Sequence, residues 1–399
     1  MASHTDVLIV GAGPAGVAAA LTARRNGLAV CVIDKATFPR DKCCGDGLTT
    51  GALRLLDTLG LRPETVPSWR TCRDVTLRSP SGRLVDLQLP GKGQFAAIAS
   101  RFDLDAALVR HARAHHVDVR DGIGFVGIER ATGNDDARAH RVTTTDGEID
   151  ARVVIAADGM WSPVRKALEP DREPYLGEWH ALRQYATNVS GTASRRLYVW
   201  FEPDLLPGYA WSFPLADGRV NLGFGILRGA TQKVGDMKSL WRDVLQREHV
   251  RDALGDGANI DDKVSAWPIP ARVTSSALSI DGVLFVGDAA RATDVLTGEG
   301  IGQALLSGML AGGAASQAEP ASAYRHAMRR HFFADHRMSA VLGRILSNEF
   351  LARGALRVVD GGAWRREKFA RWMFEDEPRA SAFTPRRWHR DYLSLPGAY

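Results

Sequence analysis

The sequence predicts an α/β chain, and three observations carry that prediction. The stretch DVLIVGAGPAGVAAALTARRNGLAVCVIDK runs from the apolar segment Val7 to Val10 through Gly11, Gly13 and Gly16 into an alanine-rich segment, then back to apolar LAVCVID. Two later apolar stretches, VVIAADG and GVLFVGD, each end in an aspartate and a glycine before the chain turns into a helical pattern. Residues 324–399 mix apolar and basic side chains as a helical tail would.

Strand, glycine turn, helix and strand in that order make a nucleotide-binding unit. The glycines allow a tight turn and admit a pyrophosphate at the helix N-terminus, where free amides and the helix dipole favour an anion. Asp34 ends the second strand 18 residues after Gly16, where a carboxylate accepts from ribose hydroxyls, and Lys35 stands beside it. On these residues alone the dinucleotide is NAD or FAD.

At 399 residues and 45% apolar content the chain is long enough for two or three units and a deep buried site. Its four cysteines, Cys31, Cys43, Cys44 and Cys72, show no CxxC spacing, and the vicinal pair makes a poor bridge. A reduced, cytoplasmic protein without a metal is expected. Neither a signal peptide nor a membrane span is visible, so any membrane contact is peripheral. The net charge of +5 is uneven, because residues 324–399 carry 15 Lys and Arg against 8 Asp and Glu, which leaves the first 323 near −2. A solvated helical face is the simpler reading of that basic tail, and no nucleic-acid role is expected.

VVIAADGMWSPVRKAL supplies Asp158 and Gly159, with Ser162 and Arg165 following; GVLFVGDAARATDVLTGEGIGQALLSG supplies Gly287 and Asp288, then Gly298, Gly300 and Ile301. The two segments resemble the DG and GD motifs of flavoproteins with the p-hydroxybenzoate hydroxylase fold, and SRFDLDAALVRHA, with Arg101, Asp105 and Leu108, resembles that fold's arginine helix. The resemblance implies FAD as cofactor, with Asp288 on its ribityl chain and the following helix aimed at the pyrimidine end of the ring. A helix N-terminus suits the negative charge of a reduced flavin there. The architecture expected is α/β (α+β): a Rossmann-like FAD domain from residues 1–70, 96–165 and 275–323, and an antiparallel-sheet substrate domain from 71–95 and 166–274. The mixed apolar and basic residues of the helical region 324–399 are expected to close the cavity mouth.

FPRDKCCGDGLT resembles the PRxKxCG signature of the geranylgeranyl reductase family through Pro39, Arg40, Lys42, Cys44 and Gly45. YAWSFPLADGRVNLGFG resembles that family's YxWxFP signature through Tyr209, Trp211, Phe213 and Pro214, followed by Gly223 and Gly225. The likeness spans about residues 5–320. It implies a reductase that saturates isolated double bonds of a prenyl chain by hydride transfer from flavin N5 plus a proton. Cys44 and Gly45 then lie over the flavin, Cys43 points away, and Cys44, Tyr209 and Trp211 are the catalytic candidates. Tyr209, Trp211 and Phe213 alternate along a strand and share one face, an apolar wall for the substrate together with Pro214, Gly223 and Gly225. Lys42 and Arg40 act to lower the Cys44 pKa. Asp46 reads as a loop aspartate bonded to its own backbone, with a proton relay as the alternative.

One departure stands out: Val295 replaces the proline usual in the family's GD loop. It keeps a hydroxylase of the same fold as the alternative. A halogenase lacks its WxWxIP motif here, and an electron carrier of the electron-transfer flavoprotein dehydrogenase kind lacks cysteines after Cys72 for a cluster. With no second glycine fingerprint after a strand, electrons come from transiently bound NAD(P)H or from a redox partner.

Overall fold

The computed structural model describes residues 3–130, 140–171, 173–230 and 232–399. Its first sheet is built around β1 (Ser3–Val10), flanked in parallel by β2 (Val30–Asp34) and β3 (Gly147–Ala156), so that Val7 stands between Val30 and Val153. Residues 7 to 10 are apolar on both faces and at most 5% exposed, as a central parallel strand covered on both sides requires. Asp118–Asp121 continues the sheet beyond β2, and Val283–Phe285 and Ser279–Ile280 continue it beyond β3.

Gly11 turns the chain from β1 into α1 (Pro14–Arg25) with a φ of +107°, and a Cβ on it would lie 2.3 Å from the Ala157 carbonyl oxygen. That close approach and that backbone angle leave glycine as the residue that fits. The arginine-bearing helix is α2 (Arg101–Ala114), capped by Ser100, whose hydroxyl accepts from the Asp103 amide. The helix after the GD loop is α3 (Ile301–Ala314). It lies directly on α1, since Cβ atoms at Gly308 and Gly312 would meet the carbonyl oxygens of Ala15 and Ala19 at 2.1 and 2.4 Å.

The second sheet is mainly antiparallel. Its centre is β4 (Trp179–Thr187), β5 (Tyr209–Pro214) and β6 (Val220–Leu227), with β6 between the other two. Asn221 on β6 is therefore opposite Tyr185 on one side and Phe213 on the other. A small three-stranded sheet, Gly47–Thr49 with Ala96–Ile98 and Arg70–Thr71, follows the cysteine loop.

After α4 (Pro320–Leu346) and the helices Glu349–Asp360 and Ala363–Met373, the chain runs back along the body. The Gln94 amide donates to the Ala398 carbonyl at 2.8 Å, and Tyr399 Oη donates to the Leu61 carbonyl at 2.9 Å. The tail does not close the cavity as expected, because the cavity walls come from residues between Val10 and Ala304. The tail backs the GD loop instead. Among the described residues no helix is long and apolar enough to cross a membrane.

The contact of α1 with α3 yields a paired prediction. Gly308→Ala forces its methyl into the Ala15 carbonyl and should cost about 2 to 3 kcal/mol in urea unfolding. Gly313→Ala, on the same helix with no atom within 4 Å of its Cβ position, should be neutral or stabilising by about 0.5 kcal/mol.

Candidate active site

A cavity of about 510 Å³ lies between the two sheets. One end is the nucleotide turn. The α1 N-terminus has no side-chain cap, and the guanidinium groups of Arg40 and Arg101 approach the Gly13 Cβ position at 3.7 and 4.0 Å. Both arginines share one carboxylate: Arg101 binds Asp105 through two 2.8 Å hydrogen bonds, and Arg40 reaches it at 3.0 Å. Two cations against one buried anion leave net positive charge beside the free helix amides, which is the electrostatics a pyrophosphate needs. Asp34 accepts from the Ala12 and Ala36 amides, each at 2.8 Å, and Lys35 follows it in the wall. Gly16 stands behind the wall, where a Cβ would lie 1.8 Å from the Gly11 oxygen.

Further along, Asp158, Gly159, Asp288, Gly298, Gly300 and Ile301 all border the cavity. Asp158 Oδ2 accepts from the Val164 amide at 2.9 Å, while Oδ1 is buried and unpartnered, as an acceptor awaiting a ligand donor would be. Burial pushes this carboxyl up to about 6. Thr293 Oγ1 donates to Asp288 Oδ1 at 3.4 Å. The open helix end, the cationic pair, the placed Asp34 and the orphaned Asp158 oxygen fit a flavin dinucleotide laid along the cavity.

The cysteine loop, residues 40–47, forms another part of the wall, with Cys43, Cys44 and Gly45 all bordering the cavity. The expected lowering of the Cys44 pKa also fails. Burial pushes the thiol up to about 12, and the opposing cation is Arg101 instead of the neighbouring Arg40 or Lys42. Lys42 is itself brought down to about 8 by burial, with its ammonium 3.4 Å from the centre of the Trp267 ring. Cys44 is therefore a neutral thiol at physiological pH.

Tyr209, Trp211 and Phe213 share one face and border the cavity, with successive ring centres 6.1 Å apart. Their polar atoms are committed elsewhere: Tyr209 Oη donates to the Thr297 carbonyl, and Trp211 Nε1 donates to Asn221 Oδ1 at 2.9 Å. Gly225 borders the cavity as well. Gly223 lies beneath Trp211, where a Cβ would be 2.3 Å from the indole, and Pro214 is buried at the end of β5.

Two groups of residues escaped sequence reasoning. Behind the GD loop, Arg379 from the tail is surrounded by carboxylates: Asp294 at 3.6 Å, Glu375 at 3.4 Å and the nearby Glu299 and Asp335. Glu299 accepts from the Gly302 amide at 2.7 Å, so the first turn of α3 is capped by the chain's own side chain as well as open to the cavity. Trp179 Nε1 donates to the Val295 carbonyl at 3.0 Å, which fixes the loop where the family proline is missing. The second group is Tyr185 and Asn221, both of which bond Asp46. The acidic residues EDE at 375–377 and the buried polar Asn on an apolar strand were the available signals, but neither names its partner.

Fold and cavity together define an FAD-dependent oxidoreductase. The model of the FAD binding domain family matches residues 4–309. A menaquinone reductase of Mycobacterium tuberculosis is 34% identical over 323 residues, covering 77% of this chain and 75% of that one. A digeranylgeranylglycerophospholipid reductase of Methanopyrus kandleri is 31% identical, covering 78% and 77%. A geranylgeranyl bacteriochlorophyll reductase-like protein of Thermoplasma acidophilum superposes with a TM-score of 0.77 at 22% identity, covering 95% and 97%. The chain belongs to the FAD binding family and, within it, to the geranylgeranyl reductases.

Burial and repulsion from Glu375 push Glu299 from 4.5 up to about 8. A carboxyl that holds its proton more tightly when folded stabilises fully at low pH and loses that contribution as pH rises toward its folded value. Thermal stability should therefore fall between pH 5 and 8, and Glu299→Gln should flatten that fall in a series of melting curves.

Proposed function

We propose that this enzyme saturates isolated double bonds in the polyprenyl chain of a lipid, with Cys44 as the proton donor. The observation that carries this reading is the aromatic wall: with the Tyr209 Oη and Trp211 Nε1 hydrogens both given to protein acceptors, it offers a ligand hydrocarbon faces and no free donor. A chain without polar groups loses nothing against such a wall. The relatives' names, menaquinone reductase and digeranylgeranylglycerophospholipid reductase, both describe substrates that carry prenyl chains.

When bound and reduced, FAD supplies a hydride to one alkene carbon. The other carbon needs a proton, because an isolated alkene has no carbonyl to take up negative charge. Cys44 holds a proton in the cavity wall and keeps it there at neutral pH. Tyr209, Trp211 and Phe213 hold the chain and keep water out, so positioning supplies much of the acceleration. Electrons reach the cofactor from NAD(P)H bound transiently or from a redox protein.

The outer face of the tail suits contact with anionic membrane. Phe350, Val358 and Trp364 are 80%, 62% and 70% exposed, among Arg344, Arg353, Arg357 and Arg365. Gly343 on α4 lies against Leu296, a residue of the cavity wall, so the tail that carries this face packs beside the site a lipid would enter.

Incubated anaerobically with a reductant and a geranylgeranyl lipid, the enzyme should give a product two hydrogens heavier per double bond by mass spectrometry. Cys44→Ala should keep its FAD absorbance and lose about 10² to 10⁴ in turnover. Unchanged turnover in that variant, or a product hydroxylated or reduced only at a quinone ring, would defeat the reading. In sedimentation with vesicles at physiological salt, the protein should bind those containing anionic lipid and Phe350→Ser with Trp364→Ser should not; absence of binding by the parent protein removes the membrane contact.

A further inference from the structure

Asp46 forms part of the cavity wall and has no role in the reaction described so far. It is completely buried, and its backbone takes the left-handed conformation, φ +64°, which aspartate tolerates better than most residues. Its amide donates to Cys44 Sγ at 3.3 Å, so the carboxyl and the thiol belong to one tight turn. The bonds of its carboxyl do not go to its own loop. Oδ2 accepts from Tyr185 Oη at 2.6 Å and from Asn221 Nδ2 at 2.7 Å, whereas Oδ1 has one long contact, 3.3 Å from the Arg101 amide. With Oδ2 saturated by two donors, Oδ1 is the oxygen free to carry a proton.

We propose that Asp46 is the proton reservoir for alkene reduction, refilling Cys44 after each transfer and refilled in turn through Tyr185. This rests on the prenyl reading above. The S–H bond of Cys44 breaks as a C–H bond forms on one alkene carbon, and the other carbon takes the hydride. Cys44 Sγ then takes the proton from Asp46 Oδ1. The carboxylate left behind takes a proton on Oδ2 from Tyr185 Oη, the phenol oxygen takes one from solvent in the same step, and a half-turn of the carboxyl brings the new proton to the Oδ1 position, so the relay moves protons only and ends as it began.

The energetics run in the required direction. Burial raises the thiol to about 12, so the thiolate produced by alkene protonation is a strong base. Asp46 is raised to about 6 by burial, against the lowering effect of Tyr185 and Asn221, so it gives its proton to that thiolate downhill. The surroundings connect it outward: Arg183 stacks 4.3 Å and Arg219 4.7 Å from the centre of the Tyr185 ring, and Arg183 pairs at 2.9 Å with Asp41, which is 38% exposed. Cys43 and Arg101 are the remaining ionisable neighbours of Asp46. A linchpin that only ties the loop to β4 and β6 would make the same hydrogen bonds, so the test must read proton affinity.

The experiment follows prenyl reduction by the holoenzyme over many turnovers across pH, with reductant in excess so that the refilling of Cys44 limits the rate, and with infrared titration of carboxyl groups in the same proteins without substrate. The protonated carboxyl is the active form, so the wild-type rate should fall as pH rises through about 6. Asp46→Asn should lose that limb and run at least 10²-fold slower at its acid side, with one titrating carboxyl band missing. Tyr185→Phe removes both the hydroxyl that refills Asp46 and a bond that favours the charged carboxylate, so it should turn over more slowly and its limb should move to higher pH, a shift in the rate profile that a structural tie would not produce. A limb unchanged in Asp46→Asn, or unmoved in Tyr185→Phe, overturns the relay. A wild-type enzyme that reduces no prenyl chain overturns the underlying reading instead, and the infrared titration tells the two failures apart.

Discussion

One side-chain amide joins the loop that carries the cysteines to the sheet that carries the aromatic wall. Asn221 Nδ2 donates to the Cys44 carbonyl at 2.9 Å and to Asp46 Oδ2 at 2.7 Å, while its Oδ1 accepts from Trp211 Nε1. The amide is completely buried, so each of these bonds is made in low dielectric and would be costly to strand. Through it the thiol, the carboxyl and the indole are held in one fixed relation. Arg183 with Asp41 and Tyr185 with Asp46 add two further ties between the same loop and β4. These bonds tie the cysteine loop to the sheet on the other side of the cavity.

Charge is sorted along the cavity. At the nucleotide turn two guanidinium groups share Asp105, leaving a site for an anion. At the GD loop the excess is acidic, and Arg379 from the tail neutralises part of it. The middle, where Tyr209, Trp211 and Phe213 face the space, carries no uncommitted polar atom of theirs. A ligand with charge at one end and a long apolar partner at the other matches that order. The tail contributes by bracing the loop that a flavin would touch, which is why a segment with little family likeness is still packed against the most characteristic motif.

The nucleotide turn was legible because its chemistry is local: Gly11 and Gly16 answer steric demands set within the one βαβ unit, and Asp34 ends the strand next to it. The shared face of Tyr209, Trp211 and Phe213 was legible for the same reason, from strand alternation alone. The direction of the Cys44 shift was not. Arg40 and Lys42 are visible in the sequence, whereas burial, the larger cause, arises from strands far along the chain. Asp46 reads as a loop residue because its partners Tyr185 and Asn221 lie 139 and 175 positions away. The ring of carboxylates about Arg379 was hidden likewise, since nothing in the tail's composition says which loop it will brace.

All of this turns on which molecule takes electrons from the enzyme. Reduced protein mixed anaerobically with a geranylgeranyl lipid in a rapid-mixing spectrometer gives that answer in one trace. Return of the oxidised flavin absorbance without O2 is the predicted result. If only O2 restores it, through an oxygen adduct absorbing in the near ultraviolet, the chain is a hydroxylase of the same fold and the aromatic wall is a pocket for an aromatic substrate.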